Sequence, residues 1–211
     1  MRSSTLHRRK ASGPGYSGKA GEFHMEYNNE EYKALLKKLL SEKRYQHSLY
    51  VADQARMLAE IYRADTARAY TAGLLHDICK DMSKREQLKI IEEARIQLDD
   101  VVMDQPQLWH SLAGAAYVEK QLGITDPQML AAIRYHTSAR RGMCLLEQIV
   151  YLADLTSEDR NYPDIEVMRY KARTSIPQAM REALKFILTD LVKKESKISQ
   201  DTHEAYNEYM E

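Results

Sequence analysis

The chain contains very little cysteine. Cys79 and Cys144 are the two cysteines among 211 residues, and no metal-binding or redox motif spacing joins them. A small protein stapled by disulfides would need more cysteines than this. The count indicates two free thiols in a reducing compartment, and we therefore expect a cytoplasmic protein.

Long apolar runs are lacking as well. No stretch of eighteen consecutive apolar residues occurs, and the mean hydropathy is −0.59. A membrane-spanning helix needs about twenty predominantly apolar residues, so the sequence predicts no membrane span. It also contains no internal repeat and no alternating strand of useful length.

The sequence also has no excess of positive or negative charge. The 31 basic residues match the 31 acidic ones. Five basic residues and one acidic residue fall within residues 1–24, so residues 25–211 carry 26 basic against 30 acidic residues, a net charge of −4. This acidic balance argues against a general nucleic-acid-binding surface.

Residues 1–24 differ in character from the rest. They are rich in serine, glycine and basic residues, and the run GEFH directly before Met25 resembles a cloning scar ahead of a natural start. Such segments are excluded from fold prediction. We expect a disordered, cloning-derived leader over 1–24, with a mitochondrial transit peptide as the alternative, and one domain over 25–211.

From Glu30 onward the sequence predicts one helix after another. Apolar residues recur at helical spacing, as in Leu35, Leu36 and Leu39. Residues that favour the start or end of a helix lie between these apolar segments. The predicted helix starts are a capping box at Ser83 and Glu86, Pro106, Asp126 with Pro127, Ser175 with Pro177, and a second capping box at Asp201 and Glu204; Gly123 is a predicted helix end. The prediction is an all-α fold with a single domain.

Histidine is concentrated in one kind of place. Every histidine between residues 25 and 200 stands at or near a predicted helix end or start, together with two aspartates. The candidate ligands are His47, His76, Asp77, His110, His136 and Asp154. Each histidine taken alone could be an ordinary helix residue. Taken together, imidazole and carboxylate without thiolate suit iron, manganese or zinc rather than a structural zinc cage.

The number of ligands indicates two ions. Six are too many for one tetrahedral ion and about right for two ions that share a carboxylate. His76 and Asp77 are adjacent, so they point about 100° apart on a helix. At a fraying helix end they can nevertheless flank a metal pair, with Asp77 bridging and Lys80 aimed at the same place.

The order of these residues resembles the HD-domain phosphohydrolase superfamily, and within it the YqeK-type HD proteins of bacteria. The segments that carry the resemblance are residues 72–81 (AGLLHDICKD), 108–111 (LWHS), 132–137 (AIRYHT) and 146–154 (LEQIVYLAD). Three departures leave all six ligands in place: Ala139 where the family often has glycine, Gln148 where lysine is frequent, and Ser157-Glu158 where an acidic residue and a proline are expected.

The resemblance implies a helical HD bundle with a metal site between helix ends, in a hydrolase that cuts diadenosine tetraphosphate symmetrically into two ADP. It implies two metal ions, iron first and manganese second. His47, His76, Asp77 and Asp154 would hold one, and Asp77, His110 and His136 the other. From the residues themselves we predict Asp77 and Lys80 as catalytic, and Lys80, Arg140 and Arg160 as phosphate-binding, since a planar guanidinium suits phosphate. The alternative for the two arginines is an ordinary solvated side chain on a loop.

The partners implied are a dinucleoside polyphosphate substrate and a nucleoside diphosphate product, with a homodimer as the expected assembly and no nucleic acid or membrane. Three other functions stay open at this point: another nucleotide phosphohydrolase of the HD class, a di-iron oxygenase, and a nucleotide-binding regulator without turnover.

Overall fold

Eleven α-helices form most of the part of the chain that the computed structural model describes, residues 15–17 and 24–210. The helices are α1 (Asn29–Leu39), α2 (Glu42–Ile61), α3 (Thr66–Leu75), α4 (Lys84–Glu93), α5 (Asp100–Met103), α6 (Trp109–Leu122), α7 (Pro127–Tyr135), α8 (Leu145–Thr156), α9 (Ile165–Thr174), α10 (Ile176–Lys193) and α11 (Gln200–Met210). A 3-10 turn, Pro106–Leu108, leads into α6. The all-α prediction is confirmed.

Two short strands precede the helices. β1 (Gly15–Ser17) pairs antiparallel with β2 (His24–Glu26), with Tyr16 opposite Met25. The sequence predicted neither, because three residues are too few for an alternating pattern to be recognised. They interrupt the leader predicted to be disordered, and residues 1–14 and 18–23 lie outside the described residues.

The capping residues explain where many helices begin and end. The Ser83 side chain accepts from the Glu86 backbone while Glu86 reaches back to Ser83, which confirms the predicted capping box. Gly123 ends α6 in the left-handed conformation, with φ of 70°, where a side chain would be strained. Asp126 caps α7, and its carboxylate accepts from the next turn.

The second predicted capping box is wrong by two residues. Ser199, rather than Asp201, accepts a hydrogen bond from the Thr202 backbone, at 3.3 Å, and Asp201 lies inside the first turn of α11. Helices α5 and α9 were not predicted as separate elements. α5 has four residues, too few for an apolar stripe to be read.

α2 and α3 pack against each other closely enough to require glycine at one position. A Cβ added to Gly73 would lie 3.0 Å from both the Ala52 Cα and the Val51 carbonyl oxygen. This close approach brings the rings of His47 and His76 to 5.3 Å between centroids. The packing of the two helices therefore sets the spacing within the candidate site.

The core is organised around α8, which packs against α2, α3, α7, α9 and α10. Ile149, Val150 and Leu152 are completely buried there, as expected for a helix that is apolar on most sides. Both cysteines are free thiols, as predicted. Within the described ranges, no helix is both long enough and apolar enough to cross a membrane.

Candidate metal centre

Six side chains converge in one buried place. They lie within, or directly after, the five helices α2, α3, α6, α7 and α8. Five come from helix ends or starts: His76 follows α3 directly, Asp77 comes next, His110 is the second residue of α6, His136 follows α7, and Asp154 lies in the last turn of α8. His47 comes from the second turn of α2. The structure thus brings together all six residues that the sequence predicted as ligands, and all but the half-buried Asp154 are buried.

Three of the four histidines are oriented by the backbone that directly precedes them. The Nδ1 atoms of His76, His110 and His136 lie 2.7, 2.8 and 2.7 Å from the carbonyl oxygen three residues earlier in the chain. A carbonyl oxygen can only accept, so Nδ1 carries the proton in each ring. The lone pair of each imidazole is left on Nε2.

His47 reaches the same state through a carboxylate. Its Nδ1 lies 2.8 Å from Asp159 Oδ2, and its Nε2 lies 3.0 Å from Asp154 Oδ1. A carboxylate that holds Nδ1–H fixes the tautomer and raises the basicity of the other nitrogen, as it does for metal-binding histidines generally.

The Nε2 atoms face one another and the Asp77 carboxylate. His110 Nε2 lies 3.2 Å from His136 Nε2 and 3.1 Å from Asp77 Oδ1. On the other side, His76 Nε2 lies 3.4 Å from Asp77 Oδ2. With Nδ1 protonated, these contacts bring acceptor against acceptor, which is unfavourable unless a cation lies between them.

Two of these atoms lack any hydrogen-bond partner. They are His76 Nε2 and Asp77 Oδ1, both buried. Leaving a buried polar atom unpaired costs about 1–3 kcal/mol. A divalent ion on each side of Asp77 would satisfy both atoms, so the donor set fits metal binding.

The candidate ligand atoms form two overlapping groups that share His76. One consists of His47, His76 and Asp154, and the other of His76, Asp77 and His136, each with ligand atoms within 4.8 Å of one another. Oδ1 of Asp77 faces His110 and His136, whereas Oδ2 of Asp77 faces His76. Asp77 therefore stands where a bridging carboxylate would stand.

The charges of the site suit a cation. Burial alone would raise the pKa of Asp77, but the surrounding imidazoles of His76, His110 and His136 bring the pKa of this carboxyl well below its usual value. Burial lowers the pKa of His110 to about 4, and Asp77 opposes that shift only in part. The site thus presents charged carboxylates and a neutral imidazole near pH 7, the protonation states that bind metal.

Three basic side chains surround the cluster. Lys80 Nζ lies 3.2 Å from His110 Nε2, and Arg160 Nε donates to the Asp154 carbonyl at 2.7 Å while its Nη2 contacts Asp154 Oδ1. Arg44 Nη1 donates to Asp77 Oδ2 at 2.8 Å. The sequence named Lys80 and Arg160 but missed Arg44, although it stands one helical turn before His47 on α2.

Arg140 is placed differently from the other predicted phosphate ligands. Its Nε and Nη2 donate to the two carboxylate oxygens of Glu147 at 2.6 and 2.8 Å, and its guanidinium lies over the Tyr135 ring. Glu147 is almost fully buried. The planar edge that would bind a phosphate is thus already paired with a buried carboxylate.

Two further side chains hold the segments that carry the ligands. Gln87 of α4 is buried, and its amide donates to the carbonyls of Cys79 and Met82 at 2.9 and 3.0 Å. Arg169 of α9 donates to the carbonyls of Ser157 and Arg160 at 2.7 and 3.1 Å. Each fixes the turn that follows a ligand, and neither carries a sequence signal that separates it from an ordinary helix residue.

The family model described as HD domain matches residues 44–159, which run from Arg44 to Asp159 and include all six predicted ligands. A protein of Bacillus subtilis (strain 168) is 39% identical over 181 residues, covering 85% of this chain and 96% of that one. The chain belongs to the HD domain family.

Several relatives of this HD protein share one name. The Bacillus subtilis protein and one from Staphylococcus aureus (strain NCTC 8325 / PS 47), 34% identical over 86% of this chain and 94% of that one, are both named bis(5'-nucleosyl)-tetraphosphatase, symmetrical. A solved structure from Clostridium acetobutylicum matches with a TM-score of 0.84 and 33% identity, covering 87% of this chain and 97% of that one. It is described as a predicted HD superfamily hydrolase involved in NAD metabolism.

Ala139, one of the three departures from the family pattern, has an unusual backbone conformation. Ala139, which stands where glycine is frequent, has a φ of 55°. This left-handed conformation costs a residue with a side chain about 1–2 kcal/mol and costs glycine little. Gln148, a second departure, donates to the Met143 carbonyl at 2.7 Å and so has a local structural role.

Proposed function

We propose that this HD protein is a metal-dependent hydrolase that cleaves dinucleoside tetraphosphates symmetrically into two nucleoside diphosphates. The observation that carries the proposal is the buried cluster of acceptors around Asp77, which requires cations and is flanked by Lys80 and Arg160. The relatives named as symmetrical tetraphosphatases match this chain over nearly their whole length, which supports the substrate class.

We propose two metal ions, iron first and manganese second, because imidazole and carboxylate ligands suit both. His47, His76, Asp77 and Asp154 would hold one ion, and Asp77, His110 and His136 the other. When bound, such a pair neutralises phosphate oxygens and makes an attacking water more acidic. Asp77 is then the residue on which both halves of the site depend.

The basic side chains supply charge for the phosphates. In our proposal Lys80, at the rim of the His110 side, contacts oxygens of the phosphoryl group under attack. Arg160, about one third exposed, pairs with Asp154 through Nε and Nη2 and would contact a neighbouring phosphate through its remaining N–H groups. Arg44 joins them from α2. Arg140 is not included, because Glu147 already pairs with its guanidinium.

Symmetrical cleavage sets a requirement on binding. Water must attack a phosphorus beside the central bridging oxygen, so that the bond from that phosphorus to the bridging oxygen breaks and two diphosphates result. One nucleoside diphosphate half must therefore lie against the metals while the other half leads out of the site. A nucleoside diphosphate should consequently inhibit as a product, and a monophosphate should bind less tightly because it makes one charge-assisted contact fewer.

The test is product analysis with iron-loaded protein under anaerobic conditions. Diadenosine tetraphosphate should yield ADP alone, and in water labelled with oxygen-18 one label should enter ADP. Turnover without oxygen also separates hydrolysis from a di-iron oxygenase. AMP and ATP as products would overturn the symmetrical assignment. Cleavage of nucleoside monophosphates or deoxynucleoside triphosphates in its place would assign the chain to another hydrolase of the HD class.

We also propose a cytoplasmic homodimer, in line with the two free thiols and the family resemblance. Light scattering at micromolar concentration tests the assembly, and a mass equal to one chain would contradict it. Cell fractionation tests the location.

A further inference from the structure

A groove between α9 and α10 takes no part in the chemistry described above. Its volume is about 270 Å³, close to the lower end of the roughly 300–1,000 Å³ typical of small-molecule sites. Val167, Met168, Tyr162 and Phe186 form its apolar lining. Tyr162 and Phe186 stack with ring centroids 4.6 Å apart and an angle of 26° between their planes.

Tyr162 connects this groove to the catalytic residues. It stands two residues after Arg160, so their Cα atoms are at most about 7 Å apart. Its hydroxyl donates to the carbonyl of Leu155, the residue after Asp154, at 2.9 Å. Burial raises the pKa of Tyr162 to about 12, so the hydroxyl stays neutral. A molecule lying in the groove would have its near end beside Arg160.

Two acidic residues of the groove are already neutralised. Glu182 pairs with Lys171 at 2.5 Å, and Asp190 pairs with Lys194 at 2.6 Å. Neither Lys171 nor Lys194 lines the groove. These carboxylates therefore oppose an anionic ligand only weakly.

Two lysines of the groove have no such pairing. Lys185 and Lys193 both line it, and within the described ranges neither has an ion-pair partner. Against them stands Asp164, so the unpaired charges of the lining sum to one positive charge. The groove thus combines an aromatic pair, against which a planar base can stack, with two lysines that can accommodate phosphate.

We propose that this groove binds the second nucleoside of the dinucleoside substrate, the half that leads away from the metals. The proposal rests on the function proposed above. Two phosphates and a ribose separate the cleaved bond from that second base, so Arg160 would hold the phosphates and Phe186 would carry the base.

The experiment compares two substrates and four proteins. Diadenosine tetraphosphate has both nucleosides, whereas adenosine 5′-tetraphosphate keeps the four phosphates and lacks the second nucleoside. The proteins are the wild type, Phe186→Ala, the conservative Phe186→Tyr, and Tyr170→Ala as a matched control. Tyr170 is an exposed aromatic residue on α9 that does not line the groove.

Phe186→Ala should raise KM for diadenosine tetraphosphate about tenfold, because a base stacked on an aromatic ring contributes about 1–3 kcal/mol. KM for adenosine tetraphosphate should change less than twofold, Phe186→Tyr should restore the wild-type value, and Tyr170→Ala should match the wild type on both substrates. An equal change on both substrates, or none on either, would overturn the groove assignment. If the wild type releases no ADP from the dinucleotide, the proposed function fails instead.

Discussion

Four imidazole rings present the same nitrogen to the metal centre, although they are held by different means. His76, His110 and His136 donate Nδ1–H to the backbone carbonyl three residues earlier in the chain. His47 depends on Asp159, a residue in the loop after α8. A backbone carbonyl cannot be removed by substitution, whereas Asp159 can. The orientation of His47 is therefore the one that mutation can test.

Replacing Asp159 with alanine should weaken metal binding about 10–100-fold, as is typical when the partner of a metal-binding histidine is lost. His47 would then be free to turn and to change tautomer. Titration calorimetry with manganese measures the affinity. Asp53→Ala, which removes an exposed carboxylate on α2 paired with Arg56, should leave the affinity unchanged. Equal affinities in all three proteins would show that His47 does not need Asp159.

Lys80 allows metal binding to be separated from phosphate binding. Lys80→Ala should keep both metal ions and lose about 1–3 kcal/mol of transition-state stabilisation, if the ammonium contacts a developing phosphate charge. Elemental analysis and kcat/KM provide the two measurements. Lys89→Ala on the exposed face of α4 is the control. Normal turnover by the Lys80 variant would remove that residue from the catalytic set.

At the scale of elements, the spacing of α2 and α3 determines how the site is assembled. His47 and His76 belong to different helices, and their approach depends on Gly73, one turn before His76. Gly73 also supplies the carbonyl that orients the His76 ring. A single glycine thus contributes to both helix packing and ligand orientation.

Gly73→Ala should therefore destabilise the protein and weaken metal binding together. Its Cβ would lie 3.0 Å from backbone atoms of α2, which cannot turn aside as a side chain can. Overpacking of this kind costs about 1–3 kcal/mol, and the higher helix propensity of alanine offsets up to about 1 kcal/mol of that cost. Gly114→Ala in α6 is the matched control, because its Cβ would meet no atom closer than 3.5 Å. Alanine is favoured over glycine within a helix by about 1 kcal/mol, so the control should match or exceed the stability of the wild type. Urea denaturation measures both, and an unaffected Gly73 variant would contradict the packing argument.

The elements also show how far the sequence could be interpreted. Ser83 and Gly123 were predictable because capping depends on residues a few positions apart. The four histidines of the site were predictable because no other histidine lies between residues 25 and 200, and Asp77 and Asp154 because their order along the chain matches the HD-domain pattern. The pairing of Arg140 with Glu147 was not, since the choice between a phosphate and a buried carboxylate depends on packing around α8. Asp159 and Arg44 were missed because nothing local distinguishes them from surface charges.

At the scale of the whole molecule, the metal centre joins parts of the chain that are more than a hundred residues apart. His47 contacts Asp154, and Asp77 contacts both His110 and His136. These contacts connect α2, α3, α6, α7 and α8 at one point. Without cations the acceptor atoms oppose one another at this point, and Arg44 and Arg160 supply the positive charge beside them. Bound metal should consequently stabilise the entire domain.

Removal of metal should lower Tm substantially. A ligand that binds only the folded state, at a free concentration a thousand times its Kd, stabilises it by about 4 kcal/mol. For a domain of this size each kcal/mol shifts Tm by about 2–4 °C, so chelation should lower Tm by roughly 8–16 °C. Calorimetry of iron-loaded and chelator-treated protein measures the shift.

The Asp77→Ala variant should show almost no difference between the two conditions, because its bridging carboxylate is gone. Chelation that leaves the wild-type Tm unchanged, at saturating metal in the loaded sample, would mean that the helix ends are held together by Arg44, Arg160 and the apolar core alone.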